Sequence, residues 1–251
     1  MYAAGSNGKP ALVMLHAFAL DARMWRRQVE ALSADHRILL VDLPGFGPQA
    51  RDLGDVEPAN EVARAMDAAK LARAHVVASS FGAAIAMDLA LAHPDRVASL
   101  VLAGPLLLGS RTDIASWQRC VELASDGDRM TAAEVWLDDP LFDSLRRDED
   151  LFEEVRQIVL DYNGSHWTGR VTNTWLEADP ASRLGQLEIP TLVVSGAEDQ
   201  RSFQAMAEAY ARSIPGARRE VVAGAGHLVN LDAPDAFNDL VRRFLAPAGA
   251  K

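Results

Sequence analysis

The run His75-Val-Val-Ala-Ser-Ser80-Phe-Gly-Ala-Ala-Ile-Ala-Met87 constrains this chain most, because β-branched residues lead through small ones directly into a helix pattern. Ending a strand at Ser80 and starting a helix at once puts that serine at the apex of a tight turn. In a parallel sheet its hydroxyl projects from the carboxyl edge, and the first N–H groups of the helix, which have no intrahelical acceptor, face the same spot. Nucleophile and anion site are built together. Strand and helix backbones approach closely in such a turn, so the residues two positions either side of the serine must be small, and they are Ala78 and Gly82. With Ser79 at the apex those positions would hold Val77 and Phe81, which are too large, so Ser80 is preferred.

Elsewhere apolar runs alternate with helical patterns. Ala11–Leu15 and Arg37–Leu43 suit strands buried on both faces. Asp21 offers an N-cap for a helix over about 22–34. A helix over about 59–74 precedes the strand at His75–Ala78, the helix after Ser80 runs to His93-Pro94, and Val97–Ala103 is a further strand. This order predicts an α/β fold, a mostly parallel open sheet with helices on both faces. The rhythm breaks from Pro105 to Leu187, where helical patterns dominate and no strand is read. Four of the five tryptophans lie there, among them Trp117 and Trp136, which points to an aromatic helical cap inserted over the sheet edge. Sheet patterns resume at Pro190–Ser195 and Glu220–Ala223, separated by a helix over about 202–213 and closed by one over about 234–244. The expected organisation is therefore a core of residues 1–104 and 188–251 with a helical cap over 105–187. The tail Ala-Pro-Ala-Gly-Ala-Lys is expected to fray.

Composition narrows the function. A chain of 251 residues with 49% hydrophobic content can bury a real core, and a net charge of −10 argues against binding a phosphate backbone. Nucleic acid is not an expected partner; a small molecule is. The single cysteine, Cys120, has no internal disulfide partner, and no Cys/His cluster has zinc-like spacing, so a reducing compartment and a site without metal or cofactor are expected. No basic n-region precedes the apolar stretch Ala11–Leu20 and no run reaches membrane-spanning length, so a cytoplasmic protein is expected, with no membrane partner.

A serine hydroxyl needs a base, normally a histidine that a carboxylate orients. The later strands supply both types in loops at the same edge as Ser80: Gly196-Ala-Glu-Asp199 and Gly224-Ala-Gly-His227. Glu198 is the alternative acid, but the G-x-x-D spacing favours Asp199. His16 is expected to brace its own loop, His75 and His93 to sit at element ends, and His36 to be exposed. His166 is the other histidine within reach of a substrate, though a surface position is expected for it.

Five separated stretches, His16-Ala-Phe18, Asp42-Leu-Pro-Gly-Phe-Gly47, Ala78-Ser-Ser80-Phe-Gly82, Gly196-Ala-Glu-Asp199 and Gly224-Ala-Gly-His227, occur in the order found in the α/β-hydrolase superfamily, which the sequence resembles over nearly its whole length. The nearest branch in character is that of cofactor-free esterases, enol-lactonases and carbon–carbon bond hydrolases with a short helical cap. The resemblance implies Ser80 as nucleophile, His227 as general base then acid, Asp199 as its orienting partner, and the N–H groups of Phe18 and Phe81 as an oxyanion hole. Ala17, Ser79, Trp117, Trp136 and Leu228 are expected to line the substrate pocket. Departures from the pattern are Ala17 in place of the oxyanion-loop glycine, whose methyl would narrow the site or distort the loop, and Ala78 in place of the first elbow glycine. The short N-terminus implies that the first of the usual eight strands is missing.

The reaction implied is hydrolysis of an ester or lactone through an acyl-enzyme. The same scaffold also supports carbon–carbon bond hydrolysis, cyanohydrin cleavage by a hydroxynitrile lyase, and perhydrolysis. Serine rather than aspartate at position 80 argues against dehalogenase and epoxide hydrolase chemistry. A small-molecule binding or signalling protein on this fold is the reading from another class.

Overall fold

Strands that must hide both faces under helices form the centre of the molecule, and the positions of their carboxyl ends decide where the loops meet. A computed structural model of the protein describes residues 2–6, 8–48, 50, 54–110, 114–177 and 179–246; the expected frayed tail beyond Ala246 lies outside them. The chain runs through β1 (Tyr2–Ala4), β2 (Ala11–Leu15), a 3₁₀ turn (Ala22–Trp25) continuing into α1 (Arg26–Leu32), β3 (Arg37–Val41), β4 (Gly54–Val56), α2 (Pro58–Ala68), β5 (Ala74–Ser79), α3 (Phe81–Ala92) and β6 (Val97–Ala103). There follow α4 (Trp117–Ser125), α5 (Arg129–Leu137), α6 (Glu149–Asp161), β7 (Val171–Asn173) and α7 (Pro180–Arg183). The chain then returns to β8 (Thr191–Gly196), α8 (Arg201–Ser213), β9 (Arg218–Val222), α9 (Val229–Asp232) and α10 (Pro234–Leu245).

Seven strands form one sheet in the order β1-β3-β2-β5-β6-β8-β9, parallel throughout except for β1, which pairs antiparallel with β3 at the edge. Residues 2–4 are too few to show alternation in sequence, and the strand exists because Tyr2 to Ala4 find open backbone groups on β3. Between β6 and β8 the sequence reading placed no strand, but β7 pairs in parallel with β4, Gly54 opposite Val171, in a separate two-stranded sheet. That short pairing ties the inserted segment to the loop after β3. His36, expected to be exposed, is only 8% accessible, and burial lowers its pKa. No described helix is long and apolar enough to cross a membrane.

The order of strands reverses at β2, whose neighbours are β3 on one side and β5 on the other. Leu15, at the end of β2, pairs with Ala78, two residues before Ser80. The loop after β2 and the turn after β5 are thus adjacent at a switch point, where open parallel sheets leave a crevice. The approach is tight: a Cβ on Gly82 would lie 2.5 Å from the Leu15 carbonyl oxygen and 2.6 Å from that of His16. Helix propensity alone would make Gly82→Ala stabilising by about 1 kcal/mol. Because backbone carbonyls have no rotamer to escape into, we expect the opposite sign, a loss of about 1–3 kcal/mol, read as a lowered urea midpoint.

Candidate active site

Ser80 lies between β5 and α3 with φ 51° and ψ −114°, a conformation that costs a non-glycine residue about 1–3 kcal/mol. Hydrogen bonds on both sides hold it there: its N–H donates to the Ala103 carbonyl (2.9 Å), while its own carbonyl accepts from Ala83 (2.9 Å) and Leu106 (3.2 Å). The turn sets Ser80 at the end of β5 and makes Phe81 the first helical residue, so its N–H has no intrahelical acceptor. Ser79, expected at the pocket, is instead wholly buried: as the last residue of β5 its side chain enters the packing of the sheet and does not line the cavity.

His227 follows β9, which is three strands from β5, about 14 Å at normal strand spacing. Its loop must cross β8 and β6 to reach Ser80. Glycine lies beneath it at both crossings. A Cβ on Gly196, at the end of β8, would overlap the carbonyls of Ala225 and Gly226, and one on Gly104, just past β6, would lie 2.5 Å from the His227 carbonyl oxygen. Glu198 N–H donates to the Ala225 carbonyl (2.9 Å) and fastens the two loops together.

With the loop so laid, the Ser80 hydroxyl donates to His227 Nε2 at 2.8 Å, and His227 Nδ1 donates to Asp199, 3.1 Å from each carboxylate oxygen. Asp199 and His227 are both buried, and the Phe203 ring packs on the imidazole with a centroid separation of 4.2 Å. Glu198, the alternative acid, points away and pairs with Arg147. This hydrogen-bonded series can take a proton from Ser80 and hold the imidazolium that results.

His16 braces its loop, and its two nitrogens fix how. Nδ1 donates to the Ala17 carbonyl (2.8 Å) and Nε2 accepts from Leu43 N–H (2.9 Å), an arrangement that only the neutral ring makes. Burial lowers its pKa, against smaller opposing effects from the Ala17 carbonyl, Asp42 and Asp21. The Ala17 carbonyl also accepts from Leu20 N–H at 3.2 Å. Since a trans peptide directs C=O and the following N–H to opposite sides, pinning that oxygen turns the Phe18 N–H the other way.

A cavity of about 600 Å³ opens above Ser80 and His227, lined from the core by Ala17, Phe18 and Leu228 and from the inserted segment by Trp117, Trp136 and Trp175, among others. Phe18 lies at the centre of the rings, 5.1 Å from Trp117 and 5.2 Å from Trp136. His166 is not at the surface. It stacks on Phe46 at 4.4 Å and lines the cavity, and burial lowers its pKa to about 4. Its location depends on Gly45, whose missing Cβ leaves the space that the ring fills. Phe46 and Phe203 carried no signal beyond their apolar character; Gly45-Phe46 does fall in the Asp42–Gly47 stretch already singled out.

The family described as alpha/beta hydrolase fold matches residues 10–234. The chain belongs to that family. RutD of Azorhizobium caulinodans, named as a carbamate hydrolase, is 32% identical over 232 residues, covering 89% of this chain and 86% of its own. The 2-hydroxy-6-oxononadienedioate/2-hydroxy-6-oxononatrienedioate hydrolase of a Pseudomonas species is 28% identical, covering 96% and 89%. The crystal structure of the enol-lactonase from Burkholderia xenovorans LB400 superposes with a TM-score of 0.83 at 26% identity, covering 97% of this chain and 95% of the other. The protein is thus an enzyme of the α/β-hydrolase family.

A neutral His16 in this hydrolase has a measurable consequence. Its folded pKa lies below the ordinary value of about 6.5, so the unfolded chain binds the proton first and the contribution of His16 to stability is complete only above that pH. It is lost as pH falls through the depressed folded value. Unfolding free energies of wild type and His16→Leu, measured by urea titration from pH 7.5 downward, should therefore differ in slope below pH ~6.5, by at most about 1.4 kcal/mol per pH unit, with wild type the steeper.

Proposed function

We propose that the enzyme hydrolyses an uncharged carboxylic ester or lactone through an acyl-enzyme on Ser80, with His227 as general base and acid and Asp199 as its partner. The observation that carries this reading is the unbroken line from the Ser80 hydroxyl through His227 to Asp199, at 2.8 and 3.1 Å. As Ser80 Oγ attacks the carbonyl carbon, its proton passes to His227 Nε2. Negative charge gathers on the former carbonyl oxygen, where the N–H groups of Phe18 and Phe81 serve as donors. Fixed donors of this kind are worth about 3 kcal/mol each to such a transition state. Collapse expels the alcohol oxygen, which takes the proton from His227; water then repeats the sequence to release the acid and restore Ser80.

Residues 105–187 act as the cap, since they carry most of the cavity's aromatic wall. Among the described lining residues none is Lys, Arg, Asp or Glu; the polar ones besides Ser80 and His227 are Gln118, His166, Thr172 and Asn173. An anionic acyl chain would lose its hydration there without gaining a cation. This favours a neutral ester or lactone over the dicarboxylate for which the Pseudomonas relative is named, and an apolar acyl portion fits the tryptophan wall. Ala17 projects its methyl into the same space, which favours a slim group beside the oxyanion site.

Three measurements test this reading. A fluorophosphonate probe should label wild type at Ser80 and leave Ser80→Ala unlabelled, and Asp199→Asn should lower kcat on p-nitrophenyl butyrate by about 10⁴-fold. Undiminished labelling of Ser80→Ala would refute the nucleophile. Comparing p-nitrophenyl butyrate with the hemisuccinate ester of p-nitrophenol should give kcat/KM lower by at least about tenfold for the charged acyl group; equal values would refute the neutral-substrate assignment.

A further inference from the structure

Asp199 is held from two sides. His227 Nδ1 lies 3.1 Å from both oxygens, and the backbone N–H of Gln200 donates to Oδ1 at 2.7 Å. The second bond resists rotation of the carboxylate, but a backbone N–H is only as well placed as the residue that owns it. Gln200 is anchored by its side chain: Nε2 donates to Oδ1 of Asp139, a cap residue 61 positions earlier, at 3.1 Å.

Asp139 is 2% exposed, and its carboxylate also accepts from Leu141 N–H (3.1 Å), Ser116 N–H (3.2 Å) and the Ser116 hydroxyl (2.8 Å). Those three donors come from the cap itself. The fourth comes from the core, from Gln200, whose own N–H touches Asp199.

The same stretch of cap reaches the histidine loop. The Ser144 hydroxyl donates to Asp232 Oδ2 (2.8 Å), which also accepts from the N–H of Gly226 (2.8 Å), the neighbour of His227. Arg147 pairs with Glu198 and donates to the Gly224 carbonyl at 3.3 Å. Other ties between cap and core, Arg26 to Glu154 at 2.8 Å and Arg23 to Asp161 at 2.7 Å, touch neither loop.

We propose that cap residues 139–147 form a clasp that holds the Asp199 and His227 loops in register, with Asp139 and Gln200 as positioning residues for Asp199. The inference rests on Asp199 being the working partner of His227. It makes the cap part of the proton-transfer machinery as well as the wall of the cavity. A small misplacement of such a group is felt in turnover and not in binding.

Gln200→Met keeps the bulk and removes the donor; Gln200→Ala is the second variant, and Arg26→Ala is the control that loosens the cap elsewhere. On p-nitrophenyl butyrate we expect both Gln200 variants to lose about tenfold in kcat with KM within about twofold. The acid limb of their kcat/KM profile should move to lower pH, because a loosened carboxylate stabilises the imidazolium less. The low-field proton resonance of the His227–Asp199 bond should shift upfield, while Arg26→Ala matches wild type in all three. Unchanged kcat, pH profile and resonance in Gln200→Met would overturn the clasp. So would a kcat loss accompanied by a lowered melting temperature with the pH profile and resonance unmoved, or an equal loss in Arg26→Ala. Ser80→Ala and His227→Ala, assayed alongside, separate the two claims: if either retains full activity the fault lies in the catalytic assignment, and if both are inactive it lies in the clasp.

Discussion

A histidine carried by the edge strand of a parallel sheet has to reach a serine three strands away, and the molecule is built around that crossing. The gap is fixed by backbone hydrogen bonding and does not shrink. The loop before His227 closes it by lying directly on the ends of β8 and β6, which requires Gly196 and Gly104 beneath it. These two glycines belong to no reacting group, yet the 2.8 Å contact between His227 and Ser80 depends on them. The loop carrying Asp199 is fastened to the same track through Glu198 and Ala225, so Asp199 and His227 arrive as one unit.

At the other side of the crevice the problem is reversed, since the residues are adjacent from the start and have to be kept from relaxing. Ser80 is held in a strained backbone state by bonds to Ala103, Ala83 and Leu106. The neighbouring loop is held by a buried imidazole that must stay neutral to accept from Leu43 while donating to Ala17. Both devices fix the backbone beside the crevice in a single arrangement.

How much of this was legible in the sequence follows from how local each cause is. Ser80 with Ala78 and Gly82 is a local steric demand, and the parallel sheet followed from alternating runs such as Ala11–Leu15 and Val97–Ala103, so both were readable. Asp199 and His227 were readable as types in loops at one edge, but their meeting depends on what lies beneath the histidine loop, Gly196 at the end of β8 and Gly104 just past β6. β1, β4 and β7 left no pattern because each spans three residues and owes its existence to a partner far along the chain. Ser79 was misplaced because a small polar residue beside a nucleophile resembles a pocket group, whereas its position as the last residue of β5 buries it in the sheet. His36 and His166 were misjudged for a shared reason: a histidine looks polar in sequence, but a neutral ring packs as an aromatic, as His166 does against Phe46. The Asp139–Gln200 contact spans 61 residues and had no local signal at all.

The central claim is that Ser80 carries the substrate's acyl group between two chemical steps. Rapid quenching of the wild-type enzyme with excess p-nitrophenyl butyrate, followed by intact-protein mass spectrometry and peptide mapping, observes that state directly. The account predicts a protein population heavier by one butyryl group, appearing with the first burst of p-nitrophenol and mapping to Ser80. Steady release of p-nitrophenol with no acylated protein at any quench time, or acylation mapped to another residue, would contradict it.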